Sequence, residues 1–220
     1  MARKLILITY NGGPSNYLPG VEKDRKSYLG YFKSRAGGSY MSNEIVEFHN
    51  DPLLSATLLD ATIHVAITKQ NVKNLIVVFC GHGYDTPDHN TMMTLGPNCA
   101  CSMSHFAKIS QGACTLFIAD CCRTVLPTIN SMVTSVNPLF NIAYATKHGC
   151  FALENVNGGL YSQKLMRSGN LLQILRGRNN YSIDKTHDLT SIFVVKDSSR
   201  IQQPEIIGGQ ISQITFSYII

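Results

Sequence analysis

Two short runs hold the residue types that carry out nucleophilic chemistry. "VVFCGHGYD" sets His82 between Gly81 and Gly83, and "LFIADCCRT" ends an apolar run in Asp120, Cys121, Cys122 and Arg123. A cysteine attacks as its thiolate and needs a base to deliver it in that form; histidine is the usual partner. Glycines on both sides of His82 let the backbone turn sharply and come close to a substrate. The amides of Gly83 and Cys122 are the candidate donors to a developing oxyanion. Alternation along an extended chain sends Asp120 and Cys122 to one side and Cys121 to the other. Cys122 is therefore the candidate nucleophile, Asp120 a carboxylate beside the substrate, and Cys121 a packing residue.

The surrounding elements must place these residues at the ends of buried strands. Short apolar runs alternate with helical patterns, which predicts a mostly parallel sheet covered on both faces. "KLILITY" reads as the first strand, "EIVEFHN" as the second, "NLIVVFC" and "CTLFIAD" as central strands, and "NIAYAT" as a later one. "SIFVV" and "ISQITFSYII" are expected to close the sheet. "VEKDRKSYLGYFKS" reads as a helix. So does "DPLLSATLLDATIHVAITKQ", with Asp51 as its N-cap and proline next. "TMMTLGPNCAC" predicts a hairpin and "SMSHFAKIS" a helix capped by Ser102 or Ser104. "RTVLPTINSMVTSVNPLF" reads as a long loop, followed after "NIAYAT" by two helical segments, "GGLYSQKLM" and "NLLQILRG". In an open parallel sheet, functional groups gather at the carboxyl ends of the strands, where His82 and Cys122 both fall.

Composition narrows the function classes. With 220 residues, 44% of them hydrophobic, the chain can bury the core of one α/β domain. No repeat or linker divides it. The net charge of +5 is spread out rather than clustered, so no nucleic-acid partner is expected. The apolar run after "MARK" is too short for a secretory leader, and no stretch is long enough to span a membrane. Seven cysteines without a disulfide-like spacing fit a reducing cytoplasm. The Cys/His spacings are too tight for zinc knuckles. Gly-x-Ser-x-Gly and the phosphate-binding glycine motifs do not occur. The six other histidines lack such company and read as surface or structural residues.

The two motifs resemble the catalytic pair of caspase-type cysteine proteases. An acid two residues before the cysteine is similar to the metacaspase and paracaspase pattern, rather than to the Gln-Ala-Cys-Arg-Gly of caspases proper. "GHGYD", "NCAC" and "YATKHGCFALE" look most like paracaspases, and the resemblance runs from about residue 4 to residue 166. It implies a three-layer α/β sandwich of the caspase-hemoglobinase type, with about six strands and helices on both faces. It also implies one domain over 1–220. Within it, residues 1–123 are large-subunit-like, 124–139 an intervening loop, and 140–220 small-subunit-like.

Carried over, the resemblance makes His82 the catalytic histidine and Cys122 the nucleophile. Asp120, Glu154 and Asp24 become the carboxylates of a pocket for the residue before the cut. The implied activity is an endopeptidase cutting after Arg, less often Lys, in protein or peptide substrates. Paired carboxylates suit the donor fork of an arginine entering a partly dry pocket. No cofactor is implied. Asp85 and Asp88, the acids left after the histidine, are too few for a calcium site. The region 124–146 has no Arg or Lys, so self-cleavage is expected at Arg35 or Arg167 rather than there. Paracaspase-like domains pair at a sheet edge, which makes a homodimer or an activating partner the expected assembly. A different class of function is a caspase-like scaffold with little turnover, acting as a binding or dimerisation module.

Overall fold

The computed structural model describes residues 2–97, 99–126, 137–176 and 182–208. In chain order the elements are β1 (Ala2–Tyr10), α1 (Val21–Lys33), β2 (Ile45–His49), α2 (Ala56–Thr68), β3 (Val72–Gly81) and β4 (Gly83–Asp85). Next come β5 (Thr91–Gly96), β6 (Cys99–Ser102), α3 (Met103–Ile109), β7 (Cys114–Asp120) and β8 (Phe140–Tyr144). The last are β9 (Glu154–Asn155), β10 (Gly158–Gly159), α4 (Leu160–Arg176), α5 (Ile183–Asp197) and β11 (Glu205–Ile207). Among the described residues six strands form the main sheet, in the order β11-β8-β7-β3-β1-β2. Every neighbouring pair is parallel except β8 with the antiparallel edge strand β11.

The unbroken apolar runs of β1, β3 and β7 follow from burial on both faces. Ile6, Ile8, Val77, Phe79 and Phe117 enter one core with Leu59 and Ile63 of α2 and Phe106 of α3. Their neighbours Leu5, Leu7, Ile76, Val78 and Ile118 enter a second core with Tyr28 and Phe32 of α1, Tyr161 and Leu165 of α4, and Val194 of α5. The sheet thus lies between two helical layers. After β1 the chain crosses to β2 on one side and then returns to β3 on the other. A crevice opens at such a reversal, at the carboxyl ends of β1 and β3.

Several expectations take a different form. "SIFVV" is not a strand but a segment of α5, whose buried residues Ile183, His187, Thr190 and Val194 recur at helical spacing. The sixth strand is instead β11, only three residues long, while "ISQITFSYII" lies outside the described residues. The two helical segments after Gly159 are one helix, α4. Gly169 does not break it, because α1 packs close: a Cβ there would lie 2.0 Å from the Tyr31 hydroxyl. The cap of α2 is Ser55, whose hydroxyl accepts from the Leu58 amide at 3.2 Å. Asp51 instead accepts from the Leu53 amide at 2.9 Å and turns the chain ahead of the helix. For α3, Ser102 is the cap rather than Ser104. The hairpin forms as β5 and β6, which with β4 make a small antiparallel sheet.

Candidate active site

The site is built on the ends of β1, β3 and β7. Cys80 and Asp120 are partners in the register of β3 and β7, so His82 and Cys122 follow two residues beyond the same rung of the sheet. Alternation continues through the turn. Cys121 is 2% exposed and belongs to the α2/α3 core, while Asp120 faces the α1/α4 side. Gly83 packs against the cysteine pair: a Cβ there would lie 2.5 Å from Cys121 Sγ and 3.0 Å from the Cys122 carbonyl oxygen. The two residues expected to supply oxyanion donors are therefore backbone neighbours across the site.

A cavity of about 140 Å³ joins the predicted groups. Its walls include His82, Cys122, Asp24, Asp120 and Glu154, with Leu18 and Val21 as apolar cover. The Cys122 thiol is half-buried. The Ala152 amide donates to its sulfur at 3.4 Å, and the thiol reaches the Ala152 carbonyl at 3.7 Å. Burial, reinforced by the charges of Asp120 and Glu154, pushes this thiol above its usual range against the opposing Ala152 hydrogen bond. The shift favours the thiol form of Cys122, and a thiol attacks only with a base to take its proton.

The group that orients His82 had no side-chain signature in the sequence. His82 Nε2 lies 2.5 Å from the carbonyl oxygen of Asn16, in the loop after β1. A carbonyl only accepts, so Nε2 carries a proton, and the neutral tautomer that fits this contact has its lone pair on Nδ1. The Asn16 side chain fixes that loop by accepting from the Gly13 amide at 2.6 Å. Gly12, at φ +85°, belongs to the same turn. A side chain on it would stand 2.5 Å from the Asn16 carbonyl oxygen and 2.8 Å from His82 Nε2. Only glycine suits that backbone and that approach.

The carboxyl groups are held by main-chain donors around the start of α4. The Gly159 amide donates to both Asp24 oxygens, at 3.0 and 2.9 Å, and the Ser162 hydroxyl donates to Asp24 Oδ1. The Ser162 amide serves Asp120, which also accepts from the Tyr28 hydroxyl at 3.4 Å. The positive end of the helix dipole offsets some of the cost of burying these acids. Glu154, the first residue of β9, accepts from the Gly20 amide at 2.7 Å, which turns it toward the same space. A Cβ on Gly159 would sit 3.2 Å from Asp120 Oδ2 and 3.4 Å from Asp24 Oδ2, so glycine lets both acids converge.

These acids share an unmet electrostatic need. Asp24 is 3% exposed and Asp120 8%. Burial raises the carboxyl pKa of Asp24 against the hydrogen bonds from Ser162 and Gly159. Burial also pushes Asp120 well above the usual carboxylate range, with help from the neighbouring Asp24 and Glu154 charges. Glu154 is raised by burial and by Asp24, against the opposing Gly20 hydrogen bond and His82. Among the described residues, no basic side chain lines the cavity apart from His82. A cation entering it would favour the ionised form of all three acids. Asp85, by contrast, is committed elsewhere, to Arg123, Thr91 and His148.

The arrangement thus offers a thiol, a base with a fixed tautomer and an acidic pocket at the carboxyl ends of a parallel sheet. Among the described residues, no helix is long and apolar enough to cross a membrane. The comparison with curated proteins returns no match. The family model described as the caspase domain matches residues 3–213. That match covers nearly the whole chain and includes every residue of the site, so the chain belongs to the caspase-domain family, with a cysteine protease-like function.

Proposed function

We propose that this chain is a cysteine endopeptidase of the paracaspase or metacaspase type that cuts protein or peptide substrates after Arg, and less often after Lys. The observation that carries the reading is the convergence of Asp24, Asp120 and Glu154 on the cavity that also holds His82 and Cys122. A guanidinium there meets carboxyl oxygens from three directions and matches them with its fork of donors. Lysine offers the same charge with fewer fixed donors. An acidic side chain would add a fourth negative group to a site already short of positive charge.

On this reading, catalysis runs as follows. The substrate carbonyl docks near Cys122 with the Gly83 and Cys122 amides as oxyanion donors. His82 Nδ1 takes the thiol proton as Sγ attacks, and the imidazolium is steadied through Nε2 by the Asn16 carbonyl. The tetrahedral intermediate collapses as His82 returns the proton to the leaving amine, leaving an acyl-enzyme on Cys122. Water, deprotonated by His82, releases the acid product. Residues 1–123 and 140–220 act together as one catalytic domain in a reducing cytoplasm.

Labelling with peptidyl chloromethyl ketones tests this reading. An arginyl reagent is expected to alkylate Cys122 at least about tenfold faster than its aspartyl counterpart, with His82→Ala slowing both reagents and Asp120→Asn shrinking the difference between them. Equal, slow labelling by both reagents in a folded protein would favour a caspase-like scaffold without turnover.

A further inference from the structure

A buried network beside the nucleophile has no role in the steps above. Arg123, immediately after Cys122, is 3% exposed, and Asp85 at the end of β4 is fully buried. Arg123 Nε donates to Asp85 at 3.1 Å (Oδ2) and 3.3 Å (Oδ1), and the guanidinium lies 3.7 Å from the Tyr144 ring centroid. Its NH1 group reaches Glu205 Oε2 at 2.5 Å. Asp85 Oδ1 also accepts from the Thr91 hydroxyl at 2.7 Å. The remaining contact comes from the surface: His148 Nδ1 stands 2.6 Å from Asp85 Oδ2, with its ring tilted by 33° against that of His89 at 3.9 Å between centroids.

His148 begins the loop that carries the rest of the site. Within a few residues the Gly149 amide donates to the Arg123 carbonyl at 2.8 Å, and the Cys150 carbonyl accepts from the Arg123 amide at 2.9 Å. Ala152 then brackets Cys122 Sγ, and Glu154 enters the acidic pocket. The same Asp85 holds the other side of the nucleophile turn: its amide donates to the Thr124 carbonyl at 2.9 Å, and its carbonyl accepts from the Leu126 amide at 3.0 Å. One residue therefore ties the segment after Cys122 to the loop that lines the thiol and the pocket. On the loop side, that tie is made by the partly exposed side chain of His148.

We propose that His148 is a positioning residue for the nucleophile: its hydrogen bond to Asp85, passed on to Arg123, sets the loop 148–154 against Cys122. This role rests on Cys122 being the nucleophile. An imidazole that donates from Nδ1 is replaceable by an asparagine amide, which offers an N–H at a similar distance from the backbone. Alanine offers none and leaves Asp85 Oδ2 with Arg123 Nε, at 3.1 Å, as its remaining donor. Loss of the bond shifts the loop rather than the fold, and displacements of about 1 Å at a reacting centre cost up to about 100-fold in rate.

The test compares His148→Ala with His148→Asn by three readouts. These are kcat and KM on an arginyl fluorogenic peptide, iodoacetamide alkylation of Cys122 followed by mass spectrometry, and melting temperature. His148→Ala is expected to lower kcat by about 10- to 100-fold, raise KM and change the Cys122 alkylation rate, while melting within a few degrees of wild type. His148→Asn is expected to return each value to within about threefold of wild type. Wild-type kinetics in His148→Ala, or losses in both variants that track a fall in melting temperature, would overturn the proposal. If wild type itself cleaves no arginyl peptide, the protease reading fails. The alkylation arm still decides this one: a rate changed by alanine and restored by asparagine supports it, and an unchanged rate contradicts it.

Discussion

Asp120 concentrates the site's chemistry in one side chain. Its burial raises the carboxyl pKa above the unfolded value of about 4. A group shifted in that direction contributes its full stability below the unfolded value and loses it as pH rises through the folded one. At neutral pH this buried carboxyl group is therefore a cost to the fold. Asp120→Asn keeps an oxygen to accept from Tyr28 and the Ser162 amide while removing the charge. Calorimetry at pH 7 should show a higher melting temperature, by roughly 2–4 °C per kcal/mol gained, with KM for an arginyl substrate at least about tenfold worse. A lower melting temperature would mean that the carboxylate is already neutralised by a partner. The pH profile follows the same sign. As pH rises above the usual carboxylate range, Asp24, Asp120 and Glu154 ionise, so kcat/KM for arginyl peptides should climb. In Asp120→Asn that climb should flatten; an identical profile would place the titrating group outside the pocket.

At the scale of elements, the loop after β1 and the start of α4 do most of the positioning. Neither relies on the side chains that stand out in the sequence. The His82 tautomer depends on a main-chain carbonyl, and the pocket acids depend on main-chain amides of Gly159 and Ser162. Backbone groups exist at every position, so their roles emerge only once the fold brings distant segments together. The glycines are the visible trace: Gly12 and Gly159 stand where a Cβ would meet His82 or the acids. Gly12→Ala tests the first of these. Its strained φ and its clash with the Asn16 carbonyl should reorient His82, lowering kcat by about 10- to 100-fold with KM little changed. A parallel rise in KM would instead assign the loop to substrate binding.

Across the whole molecule, the strands buried on both faces were legible as continuous apolar runs, and the strand-end rule put His82 and Cys122 side by side from sequence alone. The far edge was less legible. β11 has only three residues and no pattern of its own, whereas "SIFVV" has a strand's composition but sits on a helix whose buried face is set by Ile183, His187, Thr190 and Val194. Local propensity lost there to packing on the sheet. In the sequence Asp85 reads only as one of two acids too few for a calcium site, and the fold reveals it as the partner of Arg123 and His148. The sheet also explains how two stretches far apart in the chain make one site: β3 and β7 bring His82 and Cys122, while the segment after β8 brings Ala152 and Glu154. On this reading Cys122 cuts after a basic residue held by that shared pocket. The sharpest check is cleavage of matched fluorogenic peptides ending in Arg, Lys or Asp by wild type, Cys122→Ala and Asp120→Asn. Arg is expected above Lys with no cleavage after Asp, all turnover lost in the first variant and the basic preference weakened in the second. Cleavage after Asp, or Arg cleavage that survives Cys122→Ala, would contradict it.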